Sequence, residues 1–463
     1  MTALRLFLAL LLVLVVGCIG FVAYGWRSEI DPVARPGQPD PALVQRGAQL
    51  AAIGNCNVCH TAPGGEPFAG GLALPTPFGT IYSTNITPDR ETGIGTWSAE
   101  AFIRSMREGV DREGNHLYPA FPYDHFTLVT DEDNRALHAY LMTREPVRYV
   151  PPPNELPFPL DNRLLVAGWK LLFFDEADHQ PDSGQDEAWN RGRYLAEGLG
   201  HCGACHTPRN RLGAEQEDRH FDGAEIEGWH AYAIDQTSAA PIPWNVDSLA
   251  DYLRRGWHAE HGVARGPMAP VTANLGSVDP ADVRAIATYV AATMGDPGPE
   301  RLARAEQVRD AASGTGRLAQ SADSLAVPAT AASDDVGAAV YASACAICHE
   351  SGRPLPFGGL DLHLSTAVNG PNPQNIINVT LFGLPASEGE AAPVMPGFAG
   401  TLSQQQLVAL MNHLRGSFSE QPAWTDVEER VARTLSGEQP VSIYTSDGMQ
   451  HAPATGMRTK PWP

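Results

Sequence analysis

The first strongly apolar segment of the chain is an uncharged run from Leu6 to Tyr24. A run of this length crosses the hydrocarbon core of a bilayer as a single helix. The competing interpretation is a cleaved signal peptide, but such a peptide has a shorter apolar core and ends at a cleavage site with small residues. No clean site of that kind closes the run. We therefore predict that residues 1–27 form a retained membrane anchor.

After this segment, one helical pattern occurs three times. Each repeat opens with a short helix that carries a glycine and closes with an amphipathic helix whose apolar residues recur at helical spacing. The glycines are Gly47, Gly192 and Gly337. The apolar faces consist of Leu137, Tyr140 and Leu141, then Val283, Ile286 and Val290, then Leu407, Leu410, Met411 and Leu414. The pattern predicts a mainly α-helical chain with three small domains at 40–150, 185–297 and 333–418.

The segments between and after these domains differ in composition. Residues 151–184 contain an eleven-residue apolar stretch, Leu164 to Phe174, which is too short to span a bilayer. It either packs between the first two domains, the interpretation we favour, or forms an exposed patch for docking or for the membrane surface. Residues 298–332 are rich in Ala, Ser, Arg and Asp and read as a flexible linker. We expect residues 419–463 to form a tail on the body or on a partner.

Each domain contains one Cys-x-x-Cys-His motif. The motifs are Cys56, Cys59 and His60, then Cys202, Cys205 and His206, then Cys345, Cys348 and His349. This spacing is that of c-type haem attachment, in which two thiols bind one porphyrin and the histidine is the proximal iron ligand. A zinc site needs four ligands, usually from two cysteine pairs close in sequence, and a redox dithiol needs no adjacent histidine. The threefold repeat therefore predicts three covalent haems c.

Composition and charge restrict the possible partners and the cellular compartment of the protein. Six of the seven cysteines belong to the motifs, so no disulfide framework is expected, and 45 Gly and 39 Pro suit small domains rich in loops. The net charge of −21 argues against nucleic acid and anionic lipid as electrostatic partners. Because bacteria attach c-type haem on the periplasmic side, we expect the body of the protein in the periplasm, held to the inner membrane by the anchor.

The internal order of each domain is that of a class I cytochrome c, in which the first and last helices cross. In this fold a small residue on the first helix lets an aromatic side chain of the last helix pack closely. Tyr140, Tyr289 and His413 stand at the aromatic position. The expected fold is therefore three tandem class I cytochrome c domains after a transmembrane helix.

A class I domain commonly supplies methionine as the sixth iron ligand, from a loop before the closing helix. Met268 lies 62 residues after His206, and Met395 lies 46 residues after His349. Phe121, at the matching offset of 61 residues from His60, cannot bind iron. The first site is therefore either five-coordinate or ligated by a neighbouring side chain, and we expect His125 to be that ligand. The rivals are two nearby methionines and one further histidine, namely Met106, Met142 and His116.

With these residues in view, the chain resembles the membrane-anchored triheme cytochrome c subunits of bacterial periplasmic dehydrogenases. These include the cytochromes of quinohaemoprotein alcohol dehydrogenase, of flavin-dependent gluconate dehydrogenase, and of molybdopterin aldehyde dehydrogenases and N-heterocycle hydroxylases. Beyond the haem motifs, the resemblance rests on four loops that are specific to the family. They are Phe78–Asp89, Thr92–Trp97, Leu117–Tyr123 and Gly266–Ala269.

The resemblance implies an electron-transfer subunit without catalytic residues of its own. Its implied partners are a catalytic dehydrogenase subunit of the molybdopterin, quinone (PQQ) or flavin type, a small iron–sulfur subunit, and membrane ubiquinone or another component of the respiratory chain. Phe121, followed by Pro122 and then by Tyr-Asp-His, favours the molybdopterin type. The alternative from another class is a haem enzyme in its own right, such as a peroxidase, which needs an open or displaceable sixth position.

Overall fold

The computed structural model describes residues 2–34, 39–314, 335–385, 392–438, 441–445 and 448–451. It is mainly helical, as expected from the sequence. The α-helices of the first half are α1 (Thr2–Gly25), α2 (Pro41–Ile53), α3 (Cys56–Cys59), α4 (Ala99–Glu108), α5 (Tyr123–Phe126), α6 (Asp131–Leu141), α7 (Leu164–Phe173), α8 (Glu187–Arg193) and α9 (Gly203–His206). Those of the second half are α10 (Val246–Arg255), α11 (Met268–Gly276), α12 (Pro280–Met294), α13 (Pro299–Gly314), α14 (Val336–Ala344), α15 (Ala346–His349), α16 (Thr366–Asn369), α17 (Gln374–Phe382), α18 (Gln404–Phe418) and α19 (Val427–Ser436).

Shorter elements connect these helices. A π-helix, Tyr194–Leu199, continues α8, and two 3-10 turns lie at Glu217–Arg219 and Leu362–Leu364. In the described residues the strands pair only as two-stranded antiparallel hairpins. The hairpins are β1 (Ala73–Thr76) with β2 (Gly79–Tyr82), β3 (Ala224–Ile226) with β4 (Trp229–Ala231), β5 (Trp257–His258) with β6 (Gly262–Val263), and β7 (Ser442–Thr445) with β8 (Gly448–His451).

One helix crossing occurs three times and involves the three glycines singled out in the sequence. The pairs are α2 with α6, α8 with α12, and α14 with α18. At each crossing a Cβ on the glycine would overlap a backbone carbonyl of the closing helix, that of Ala136, Ala285 or Ala409. It would also meet the Cβ of Tyr140, Tyr289 or His413. Only glycine allows this approach, so the predicted glycine–aromatic arrangement is confirmed.

Contacts divide the chain into two compact units. Unit 1 consists of Met1–Ser183, Tyr194–His201 and Arg211–Ala214, and it contains the first helix crossing. Unit 2 consists of Gly184–Arg193, Cys202–Asn210 and Glu215–Pro463, and it contains the second and third crossings.

Within unit 1, the apolar stretch of residues 164–174 forms α7 beside the end of α1. Gly25 lies against Leu164 and Ala167, and Phe21 lies against Gly168. Tyr123 packs edge-on against Phe174 with ring centroids 5.2 Å apart. The opposite face of α7 is exposed, with Leu171 and Leu172 about two-thirds accessible, at 64% and 68%. The stretch is thus buried on one face against α1 and unit 1, and it presents apolar side chains on the other.

The segment that reads as a flexible linker differs from expectation in its described part. Residues 299–314 form helix α13, and Ala305 on this helix is fully buried. Arg309 makes an ion pair with Glu260, and Arg301 donates to the carbonyl of Ser238. These tertiary contacts stabilise a helix that composition alone does not predict. Residues 315–332 of the expected linker lie outside the described residues.

The C-terminal segment packs on the body of unit 2 in its described part. Trp424, Val427 and Val431 belong to the same buried cluster as α14, α17 and α18. This agrees with one of the two expected locations for the tail. Residues 452–463 lie outside the described residues.

Candidate haem attachment sites

Each Cys-x-x-Cys-His motif forms a single helical turn. The amide of His60 donates to Cys56 O at 3.0 Å, that of His206 donates to Cys202 O at 3.0 Å, and that of His349 donates to Cys345 O at 3.1 Å. Cysteines three residues apart on such a turn lie on one face. The turn therefore presents two sulfur atoms together and places the imidazole directly after them, as covalent haem attachment requires.

The three histidines share a second feature, a hydrogen bond from Nδ1 to a backbone carbonyl. The distance is 2.7 Å in each case, and the acceptors are the carbonyls of Thr84, Tyr232 and Leu360. A carbonyl only accepts, so Nδ1 carries the proton and Nε2 is the nitrogen that would bind iron. This bond fixes the ring and raises the basicity of a metal-bound imidazole. The donor set fits a haem c at all three positions.

The charge state of these imidazoles also suits iron binding. Burial lowers the pKa of His60, His206 and His349, while the carbonyl hydrogen bonds act in the opposite direction. A lowered pKa favours the neutral form, which is the form that binds a metal.

The loops that supply the acceptor carbonyls have the same local structure at the first and second sites. Gly70 donates its amide to His60 O, and Gly223 donates to His206 O, both at 2.8 Å. Phe68 and Phe221, two residues before these glycines, both have a φ of +64°. The shared signal in the sequence is Phe-x-Gly after the motif, which the sequence-based prediction missed.

The two methionines expected as sixth ligands lie on defined backbone. Met268 is the first residue of α11, directly after Pro267. Met395 is paired with Leu384 through both backbone groups, with N–O distances of 3.0 and 2.8 Å. Both residues precede the closing helix of their domain, as the sequence predicts, and their coordination of iron stays a prediction.

At the first site the loop containing Phe121 leads into the short helix α5. The Phe121 ring lies against Phe126 with centroids 5.2 Å apart. His125 is buried on this helix, and its Nδ1 donates to the carbonyl of Glu197 at 2.7 Å. This is the same kind of bond that the three motif histidines make. Met106, one of the rivals, is buried on α4.

His116 has a different environment from the one its candidacy as a ligand requires. Its Nε2 donates to the carbonyl of Gly25 at 2.7 Å, and its Nδ1 accepts from Lys170 Nζ at 3.2 Å. Lys170 also donates to the carbonyls of Glu108 and Gly109. Both ring nitrogens of His116 thus serve to join the end of α1 to α7, and coordination of iron by His125 stays a prediction.

Comparison with curated proteins shows to which family the chain belongs. The chain is 35% identical over 455 residues to the gluconate 2-dehydrogenase cytochrome c subunit of Pantoea cypripedii, covering 92% of this chain and 95% of that protein. It is 33% identical over 444 residues to the fructose dehydrogenase cytochrome subunit of Gluconobacter japonicus, covering 91% and 90%. The chain belongs to the cytochrome c subunits of dehydrogenases.

Two further matches bear on this cytochrome c subunit. A family model described as cytochrome c oxidase, cbb3-type, subunit III, matches residues 332–414, which contain the third motif. Over 417 residues the chain is also 43% identical to one of the subunits of nicotinate dehydrogenase from Pseudomonas putida. That match covers 89% of this chain but 33% of the relative, so the chain spans about a third of that protein's length.

Membership fixes the general role of the cytochrome c subunit. The gluconate and fructose dehydrogenase relatives are named as the cytochrome subunits of those dehydrogenases. The chain is an electron-transfer subunit that uses haem c.

Proposed function

We propose that the chain is a relay of three haems c that passes electrons from a periplasmic dehydrogenase to ubiquinone in the inner membrane. The observation that carries this proposal is the threefold recurrence of one local geometry. Each motif turn presents two cysteines, and each motif histidine has its Nδ1 bonded to a carbonyl at 2.7 Å. With the three glycine crossings, this supports three tandem class I cytochrome c domains.

Covalently bound haem c supplies one-electron transfer, and the protein controls its potential through the axial ligands and their surroundings. In the proposed relay, Cys56 with Cys59, Cys202 with Cys205, and Cys345 with Cys348 hold the three porphyrins. His60, His206 and His349 bind iron on one side. Met268 and Met395 bind on the other side at the second and third sites, and His125 does so at the first.

The membrane location rests on how the end of α1 is built into unit 1. This helix is long and apolar enough to span a bilayer, although a signal sequence passes the same test of length and composition. The carbonyl of Gly25 accepts from the buried His116, and the amide of Ile30 donates to Arg112 O at 2.9 Å. Removal of α1 would leave the imidazole of His116 without its acceptor. This supports a retained anchor.

The exposed leucines of α7 support the membrane-surface interpretation of residues 164–174. Because α7 packs against Phe21 and Gly25 at the end of α1, an inserted α1 places α7 at the level of the bilayer surface. We propose that Leu171 and Leu172 then contact the lipid.

A cavity beside the end of α1 offers a place for the quinone. Its volume is about 170 Å³. It is lined by Tyr24, Arg27, Glu108, Val110, His116, Ala167, Lys170, Phe174 and Glu176. Reduction of a quinone to a quinol takes up two electrons and two protons. Burial lowers the pKa of Lys170 to about 7, so this side chain can hold or release a proton near neutral pH.

Sequence similarity favours, as the partner, a molybdopterin dehydrogenase of the N-heterocycle type. The identity of 43% to the nicotinate dehydrogenase relative exceeds the 35% and 33% to the gluconate and fructose dehydrogenase subunits. Phe121 in place of methionine points the same way. The second candidates are a flavin gluconate-type or quinone (PQQ) alcohol-type partner, supported by the near full-length coverage of those relatives.

Co-purification from the native membrane, followed by metal and cofactor analysis, tests this choice. We expect molybdenum in the complex, accompanied by a small iron–sulfur subunit. Flavin or quinone cofactor without molybdenum would favour the second candidates. Reduced protein that binds carbon monoxide and consumes peroxide without any partner would instead support a haem enzyme.

A further inference from the structure

A pair of hydrogen bonds within unit 2 connects the third helix repeat to the proximal histidine of the second site. Asn375, on α17, accepts from the amide of His230 at 2.9 Å and donates to the carbonyl of His230 at 2.8 Å. His230 lies in β4, so the side-chain amide binds this strand as a neighbouring strand would. One helical turn later, the buried Asn378 donates to the carbonyl of Gly228 at 2.8 Å.

Two residues after His230, the carbonyl of Tyr232 accepts the Nδ1 proton of His206. The Tyr232 ring lies against Gly370, which also belongs to the third repeat. Residues of the third helix repeat therefore hold in place the backbone that orients His206, the motif histidine of the second site.

We infer that Asn375 is a positioning residue for the His206 site. The inference rests on the proposed function, because it assumes a haem at Cys202 and Cys205. Loss of the Asn375 amide leaves both backbone groups of His230 without their partner and frees the strand to shift. The carbonyl of Tyr232 then holds the imidazole of His206 less closely. A weaker hydrogen bond makes the imidazole a poorer donor to iron, which disfavours the oxidised state.

The expected result for Asn375→Ala is a more positive potential at the second site, with the other two sites unchanged. We expect the ratio of reduced to oxidised second site at fixed potential to rise at least about threefold, which corresponds to about 28 mV at 59 mV per tenfold change. Asn375→Asp keeps an acceptor for the His230 amide but loses the donor to its carbonyl, so its shift should be intermediate.

The measurement is a redox titration of the full-length protein, followed by low-temperature electron paramagnetic resonance to separate the sites. Asn372→Ala is the matched control. Asn372 precedes the same helix and also reaches the second repeat, but it donates to the exposed carboxylate of Glu225 and not to strand backbone. The control should titrate as the parent does.

A titration of Asn375→Ala that superimposes on the parent overturns the inference, as does an equal shift in Asn372→Ala. If Asn375→Ala does not accumulate, the Asn375→Asp variant decides, and an unshifted second site in that variant overturns it. Absence of haem at Cys202 and Cys205 in the parent is a different result. It contradicts the proposed relay itself, and haem quantitation detects it independently of any variant.

Discussion

At the scale of single residues, the decisive atoms are the two nitrogens of each histidine. The motif histidines bond a carbonyl through Nδ1 and thereby orient Nε2. His125 also bonds a carbonyl through Nδ1, that of Glu197, and the two ring nitrogens of His116 contact Gly25 and Lys170. Spacing in the sequence left both histidines open as ligands, and variants of each residue decide between them.

Substitution of His125 tests the sixth ligand of the first site. We expect the ferric parent to show a low-spin signal of two axial histidines at low temperature, and His125→Ala to lose it, because His60 would remain the single axial imidazole. His116→Ala is the matched control and should keep the signal. A parent without this signal, or a signal that survives in His125→Ala, would show that another group binds the iron.

Lys170 tests the proposed quinone cavity. Lys170→Met removes from the cavity wall a buried amine that can hold or release a proton, so we expect slower reduction of a soluble quinone by the complete complex. Reduction of a soluble one-electron acceptor that takes electrons directly from haem should stay as in the parent. Equal losses with both acceptors would point to a general defect, and unchanged quinone reduction would remove the cavity from the proposal. Glu176→Gln changes another residue of the same cavity wall and leaves the contacts of Lys170 in place. Quinone reduction by this variant is therefore a second test of the cavity.

At the scale of elements, the three helix crossings are defined by backbone contact rather than by side-chain fit. The sequence allows this prediction because glycine, the motif and the aromatic residue recur in the same order. The acceptors of the motif histidines could not be predicted in this way, because a backbone carbonyl leaves no side-chain signal at Thr84 or Leu360. Helix α13 was missed because its stability comes from Arg301, Arg309 and their distant partners.

Substitution of Gly337 tests how closely α14 and α18 approach each other at the third helix crossing. A methyl group there meets the carbonyl of Ala409, so Gly337→Ala should lower the free energy of unfolding by about 1–3 kcal/mol, the usual cost of overpacking. Gly416, near the end of the partner helix α18, has open space where its Cβ would be. Gly416→Ala should raise stability by about 0.5–1 kcal/mol through helix propensity. Thermal and urea unfolding of the two variants should shift in opposite directions; equal shifts would contradict the crossing.

At the scale of the whole molecule, the contacts of α1 refine the expected effect of removing this proposed anchor. Deletion of residues 1–27 removes no expected haem ligand, so three haems should remain. It does remove the acceptor of His116 and the part of α1 that covers α7. A deletion that ends at residue 20 keeps Phe21 and Gly25 and should be the more stable of the two.

Membrane binding of the shorter deletion separates the roles of α1 and α7. We expect residual sedimentation with neutral phosphatidylcholine vesicles, because Leu171 and Leu172 stay exposed. Replacement of both leucines by serine should abolish this sedimentation. Replacement of the exposed Leu212, which lies outside α7 in unit 1, should not. Complete release of the deletion variant before any leucine is changed would rule out contact between α7 and the membrane.

The central claim is a relay of three covalent haems in one chain, and the haem-to-polypeptide ratio tests it most directly. The measurement is haem quantitation and intact mass of the full-length protein, alongside three variants in which both cysteines of one motif are replaced by alanine. The account predicts three haems in the parent and two in each variant. A parent with fewer than three haems, or a variant that keeps the parent's number, would contradict it.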